Sequence, residues 1–141
     1  MEFRTPSIEE YERILEIWNE AGLPYKPEGR DTKENIATEL NEQPEYWIGA
    51  FKDNKLVGIV FGTDDGRKGW INRLAVDIEY RSQGIGTELV RRLENVFKKK
   101  GFNIWAALIE PDNPEGMEFF EYLGFEDDEI RYYSKRESDK V

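Results

Sequence analysis

The chain has no cysteine and no histidine among its 141 residues. Without Cys there is no disulfide framework, no thiolate metal site and no cysteine nucleophile, and a reducing compartment is the expectation. Without His the usual general base near neutral pH, the commonest metal ligand and every Ser-His-Asp arrangement are lost. Any acid or base must be Asp, Glu, Lys, Tyr or water, and no metal site is expected. Nowhere do 18 apolar residues run together, and the opening MEFRTPSIEE lacks an apolar leader, so the sequence predicts a cytoplasmic, unprocessed protein outside the membrane. Positive charge is also short: 20 Lys and Arg stand against 30 Asp and Glu, a formal charge of −10. That balance argues against nucleic acid and anionic membrane as partners and leaves a cationic partner or plain solubility.

What is present suits one globular domain spanning residues 1–141, with 1–136 as ordered core and 137–141 as a frayed tail. Hydrophobic residues make up 38% and aromatics 13%, enough for a core. After a short strand at Met1–Arg4, Ser7 and Glu10 have capping-box spacing. Ile8, Tyr11, Ile14, Leu15 and Trp18 then recur at helical intervals until Gly22. Thr32 can cap a second helix, with Ile36, Ala37 and Leu40, which reads either as a surface helix on a sheet edge or as a flap over a site. Tyr46–Phe51 and Leu56–Gly62 read as a tight antiparallel hairpin, and Trp70–Val76 adds a third central strand. A helix over Gly86–Lys100 leads to Phe102–Ile109, whose apolar run predicts a strand buried on both faces and parallel to Trp70–Val76. A short helix at Pro114–Tyr122 closes at Gly124, and Phe125–Arg136 reads as a last strand. The class is mixed α/β with a mainly antiparallel sheet.

The informative segment is Leu74-Ala75-Val76-Asp77-Ile78-Glu79-Tyr80-Arg81-Ser82-Gln83-Gly84-Ile85-Gly86-Thr87, where a strand runs through a glycine-bearing turn into a helix N-terminus. That geometry binds anions, because unpaired N–H groups and the helix dipole face the same ligand. Glycines serving only a tight turn are the plain alternative. A dinucleotide fingerprint wants a small residue where Leu89 stands and a parallel-sheet setting. A phosphate loop of the NTPase kind needs Lys and a hydroxyl after its last glycine, where Thr87 and Glu88 stand.

Arg81-x-x-Gly84-x-Gly86, preceded by Leu74-Ala75-Val76, resembles the acetyl-CoA-binding signature of the GNAT superfamily of N-acetyltransferases. Element order agrees across nearly the whole chain, from Phe3 to Tyr133, and Gly124-Phe125, Asn113, Phe119 and Leu123 fall where that family has equivalents. The resemblance implies a sheet of about six to seven strands, helices on both faces and a splayed parallel strand pair. It also implies transfer of an acetyl group from acetyl-CoA to a primary amine, on a small molecule or a protein, by direct attack in a ternary complex. The main chain at Leu74, Ala75 and Val76 would pair with the pantetheine arm. Arg81, Ser82, Gln83, Gly84, Ile85, Gly86 and Thr87 would surround the pyrophosphate, with Asn113 and Phe120 also against the cofactor. The Val76 N–H would bind the acetyl oxygen.

Departures from the family pattern fall on the chemistry. Phe120 stands where many members have the Tyr that protonates the departing thiolate, leaving Tyr132, Tyr133 or water as acid. For the base, Glu110, at the end of the buried strand, is the candidate. A non-catalytic acyl-CoA-binding sensor or interaction module is the alternative function. Asp64, Asp65, Glu110 and Asp112 are expected to gather on the acceptor side. The family's dimers imply a homodimer with Tyr46, Trp47 or Tyr133 at its face.

Overall fold

The computed structural model describes all residues from Met1 to Val141. Strand β1 (Glu2–Arg4) is followed by a 3-10 turn at Ile8–Glu10 and helix α1 (Tyr11–Glu20). The capping box does not close, because the Glu10 N–H that the Ser7 hydroxyl would take is bound to the Ser7 carbonyl at 3.0 Å. Helix α1 ends as expected: Gly22 takes a φ of 72° and Leu23 returns its N–H to the Trp18 carbonyl at 3.0 Å. Thr32 caps α2 (Lys33–Glu42) by accepting from the Asn35 N–H at 3.1 Å. Strands β2 (Trp47–Lys52) and β3 (Lys55–Asp64) turn through Asp53 and Asn54, both at positive φ, as a two-residue hairpin requires. Strand β4 (Gly69–Val76), helix α3 (Ile85–Lys99), strand β5 (Trp105–Ala107) and helix α4 (Pro114–Tyr122) complete the chain.

The sheet has the order β1-β2-β3-β4-β5, antiparallel throughout except for the parallel pair β4 and β5 that α3 connects. Helix α3 covers one face with Leu89, Val90, Leu93 and Phe97, all fully buried. Phe97 lies so close to β4 that a Cβ on Gly69 would come within 2.4 Å of its ring, so only glycine fits there. Helix α1 covers the other face, where Trp18 meets Phe61 at 6.1 Å and Trp47 stacks on Phe61 at 4.3 Å.

Five strands are fewer than the resemblance implies, and the shortfall lies at the C-terminus. The strand expected over Phe125–Arg136 does not form. Glu129, the last of four consecutive carboxylates, donates its N–H to the Asp127 carboxylate at 2.8 Å and takes a φ of 53°, which turns the chain out of extended geometry. Ile130, Tyr132 and Tyr133 are therefore exposed. As a result β5 is the last strand of the sheet, only half-buried and three residues long, where Phe102–Ile109 was expected to be covered on both faces. Tyr46 and Trp47 are core residues at 2% exposure, which removes them from any dimer face. The tail lies against the α1–α2 loop, with Lys26 donating to the Asp139 carbonyl at 3.0 Å. No helix is long and apolar enough to cross a membrane.

Candidate functional site

The site begins with a break in the β3–β4 ladder. Ile59 pairs with Ala75 and Phe61 with Asn72, so Val60 alone stands opposite both Arg73 and Leu74, which is a β-bulge. Its effect on side chains is direct. Asn72 donates to the Thr63 hydroxyl and the Arg73 guanidinium lies over the Phe61 ring; Thr63 and Phe61 are two apart on β3, so two consecutive residues of β4 share one face. Arg73 holds this turn at a φ of 46°, a conformation that costs a non-glycine residue about 1–2 kcal/mol.

Beyond the bulge the parallel pair comes apart. β4 and β5 match only at Gly69 with Trp105, Trp70 with Ala106 and Ile71 with Ala107, while β4 runs on to Val76. The Asp77 N–H bonds to the Val57 carbonyl of β3 at 2.8 Å. By strand alternation the Val76 N–H points the opposite way, into the gap that β5 has left. Its carbonyl points there too and accepts from Arg81 Nε at 3.1 Å. Leu74 turns toward the start of α3, packing with Phe119 near Gly86.

The turn after β4 is built to leave donors free. Asp77 accepts the Glu79 N–H at 2.9 Å and starts a 3-10 turn at Ile78–Tyr80, after which Ser82 and Gly84 both take left-handed φ values of 65° and 81°. Gly84 is the N-cap of α3 and brings no side-chain cap, so the N–H groups of Gln83 through Thr87 have no partner within the chain. A Cβ on Gly86 would meet Phe119 at 3.3 Å, so glycine keeps this first turn close to α4. Together the αL cap, the free N–H run and the adjacent open edge of β4 present main-chain donors of the kind that suit an anionic group and an extended chain.

The remaining expected residues are placed unevenly. Arg81, Ser82, Gln83 and Gly84 are exposed at the turn, Gly86 and Thr87 are half-buried, and the Ile85 side chain is buried so that only its main chain faces the site. Asn113 caps α4, its Oδ1 accepting the Gly116 N–H at 3.0 Å. Phe120 is a core residue, edge-on to Phe119 and Phe125 at 5.3 and 5.1 Å. Glu110 is exposed beyond β5, where its carbonyl accepts the Asn113 N–H. Tyr132 is 70% exposed. The expected carboxylate cluster does not assemble: Asp64 and Asp65 fold the β3–β4 turn by accepting from Gly66, Arg67 and Lys68, at the start of β4, whereas Glu110 and Asp112 follow the far end of parallel β5.

Two buried ion pairs bracket the open edge, and neither was visible in the sequence. Arg73 donates to Asp31 at 2.7 Å, with side-chain exposures of 13% and 7%. Arg13 of α1 donates to Asp77 at 2.5 Å. Burial pushes the Asp77 carboxyl up, but the Glu79 N–H and the Arg13 guanidinium outweigh it and hold the group below the ordinary range. Glu39 of α2 goes the other way, raised by burial and by the neighbouring Asp31 charge despite the pull of Arg73. These partners lie 42 and 64 residues apart, so no local pattern announces them.

A family model described as the acetyltransferase (GNAT) family matches residues 11–125. The chain belongs to that family. Among curated relatives, an acetyltransferase of Yersinia pestis is 28% identical over 136 residues, 96% of this chain and 95% of its own. Among solved structures, PaiA N-acetyltransferase from Thermoplasma acidophilum in complex with coenzyme A superposes with a TM-score of 0.79 at 25% identity, covering 92% of each chain. Ard1 from Thermoplasma volcanium shares the fold with a TM-score of 0.77 at 22% identity, over 88% of this chain and 81% of its own.

Proposed function

We propose that this GNAT protein is an N-acetyltransferase that moves an acetyl group from acetyl-CoA to a primary amine by direct attack in a ternary complex. The observation that carries the reading is the run of unpartnered N–H groups from Gln83 to Thr87 beside the open edge of β4. The likeness to the coenzyme A complex of PaiA supports it. When bound, acetyl-CoA supplies the thioester whose carbonyl carbon accepts the amine and whose sulfur leaves as thiolate. In this reading Gln83, Gly84, Ile85, Gly86 and Thr87 hold the pyrophosphate by main-chain donors, with Arg81 and Ser82 at its rim. Leu74, Ala75 and Val76 take the arm as an added strand. The Val76 N–H donates to the acetyl oxygen as negative charge develops on it.

Glu110 removes the amine proton, directly or through water. Tyr132 has no contact that would hold its hydroxyl at the gap, so water supplies the proton to the departing thiolate. A thiol of pKa near 8.5 leaves tolerably unassisted, and a missing general acid costs about 10² to 10⁴ in rate. The buried, hydroxyl-free Phe120 favours the second reading, a module that binds acyl-CoA without turnover.

Thermal unfolding with acetyl-CoA, CoA, NAD and ATP tests the cofactor. Ligand at a hundred times its dissociation constant adds roughly 2.7 kcal/mol, a shift of several degrees in a domain of this size. A rise with acetyl-CoA and CoA alone supports the site, and none with any of them removes it. Thiol release across an amine panel then separates enzyme from binding module. An unchanged kcat and pH profile in Glu110→Gln would withdraw Glu110 as base.

A further inference from the structure

The bulge at Arg73 is not maintained by local sequence. No glycine or asparagine supplies the positive φ, and the residue that does is a long, charged one. Its side chain is anchored instead: the guanidinium sits 4.5 Å above the Trp18 ring and donates to Asp31 Oδ1. Asp31 is committed on every side. Its other carboxylate oxygen accepts the Lys26 N–H at 2.7 Å, and its carbonyl accepts the Tyr11 hydroxyl at 2.7 Å. Asp31 thus binds the α1–α2 loop, helix α1 and the bulge of β4 into one knot.

The three residues after that bulge are Leu74, Ala75 and Val76. Were the bulge to relax into regular pairing, Leu74–Val76 would slip by one residue, and the Val76 N–H would exchange the gap side for the β3 side while that of Ala75 did the reverse. We propose that Asp31 and Arg73 are positioning residues: their ion pair holds the bulge and thereby keeps the Val76 N–H and the β4 edge turned to the pantetheine arm. The proposal rests on the acetyl-CoA reading above. The 3-10 turn that leads into Gln83–Thr87 is held separately, through Asp77 and Arg13, so the two ends of the site have different anchors.

That separation gives the test. Calorimetric affinities of the intact protein are measured for CoA and for adenosine 3′,5′-bisphosphate, which has the nucleotide end and lacks the arm. In Asp31→Asn the affinity for CoA should fall about tenfold relative to wild type while that for the bisphosphate stays within about twofold. Arg73→Lys, which keeps the charge, should lose less CoA affinity than Arg73→Ala. If Asp31→Asn does not fold, Asp31→Glu is measured by the same ratio. A ratio of the two affinities unchanged from wild type, or equal loss of both ligands, overturns the positioning role. Failure of the wild type to bind CoA at all would instead overturn the cofactor reading.

Discussion

Arg13 reaches across from helix α1 to Asp77 at 2.5 Å while its Nε donates to the Leu56 carbonyl at 2.9 Å, so one guanidinium joins a helix, the start of β3 and the end of β4. Asp77 is 6% exposed. Removing Asp77 leaves Arg13 with only Glu16 and the Leu56 carbonyl and the Glu79 N–H without its acceptor, at a cost of about 3 kcal/mol. Asp77→Ala should therefore lower the stability measured by urea unfolding by about that amount. An effect below about 1 kcal/mol would mean that solvent reaches the pair.

The same carboxyl sets an acid limit. Its folded pKa lies below the unfolded value, so its contribution is complete above the unfolded pKa, about 3.9, and disappears as pH falls through the lower folded value. Urea midpoints followed downward from neutral pH should drop below about pH 4, and Asp77→Asn should flatten that drop.

Glu39 has the opposite sign. A carboxyl whose folded pKa is raised opposes folding once pH exceeds the unfolded value, because its charge is then held beside Asp31 away from full hydration. Glu39→Gln should raise Tm at neutral pH, with the gain vanishing below about pH 4. Equal Tm at pH 7 would show the charge to be already compensated by Arg73.

At the other end of the site, Gly86→Glu places a side chain where α3 and Phe119 are close and adds negative charge at the N-terminus of α3, the place proposed for the pyrophosphate. The acetyl-CoA-induced rise in Tm should disappear while the far-ultraviolet circular dichroism stays that of the native fold. A retained rise would show that the ligand binds elsewhere.

The helices were legible because each buries its own face, announced by Trp18, Leu93 and Phe97, and the hairpin because the apolar runs of β2 and β3 are split by the polar turn at Lys52–Lys55. The turn into α3 was legible because Gly84 and Gly86 interrupt that periodicity at a helix start. What sequence reading overextended were segments whose structure depends on a partner. Ile130 to Tyr133 have strand-forming residues but no ladder to join, and β5 is apolar yet sits at an edge. Capping-box spacing at Ser7 misled because a backbone carbonyl took the donor first. Arg73 was illegible for another reason: its conformation is set by Asp31 and Trp18, which are remote in sequence, and a bulge without glycine leaves no local mark.

The chain closes its last packed turn when Phe125 returns its N–H to the Phe120 carbonyl at 3.0 Å, and from Glu126 to Glu137 every residue faces solvent. To a protease, that stretch is a tether rather than a part of the folded body. Its basic sites at Arg131, Lys135 and Arg136 can open without unfolding the sheet, because local opening there breaks almost no buried contact. Cleavage after those residues should run at a rate independent of urea far below the unfolding transition, whereas cleavage within α3 should wait for the whole fold to yield.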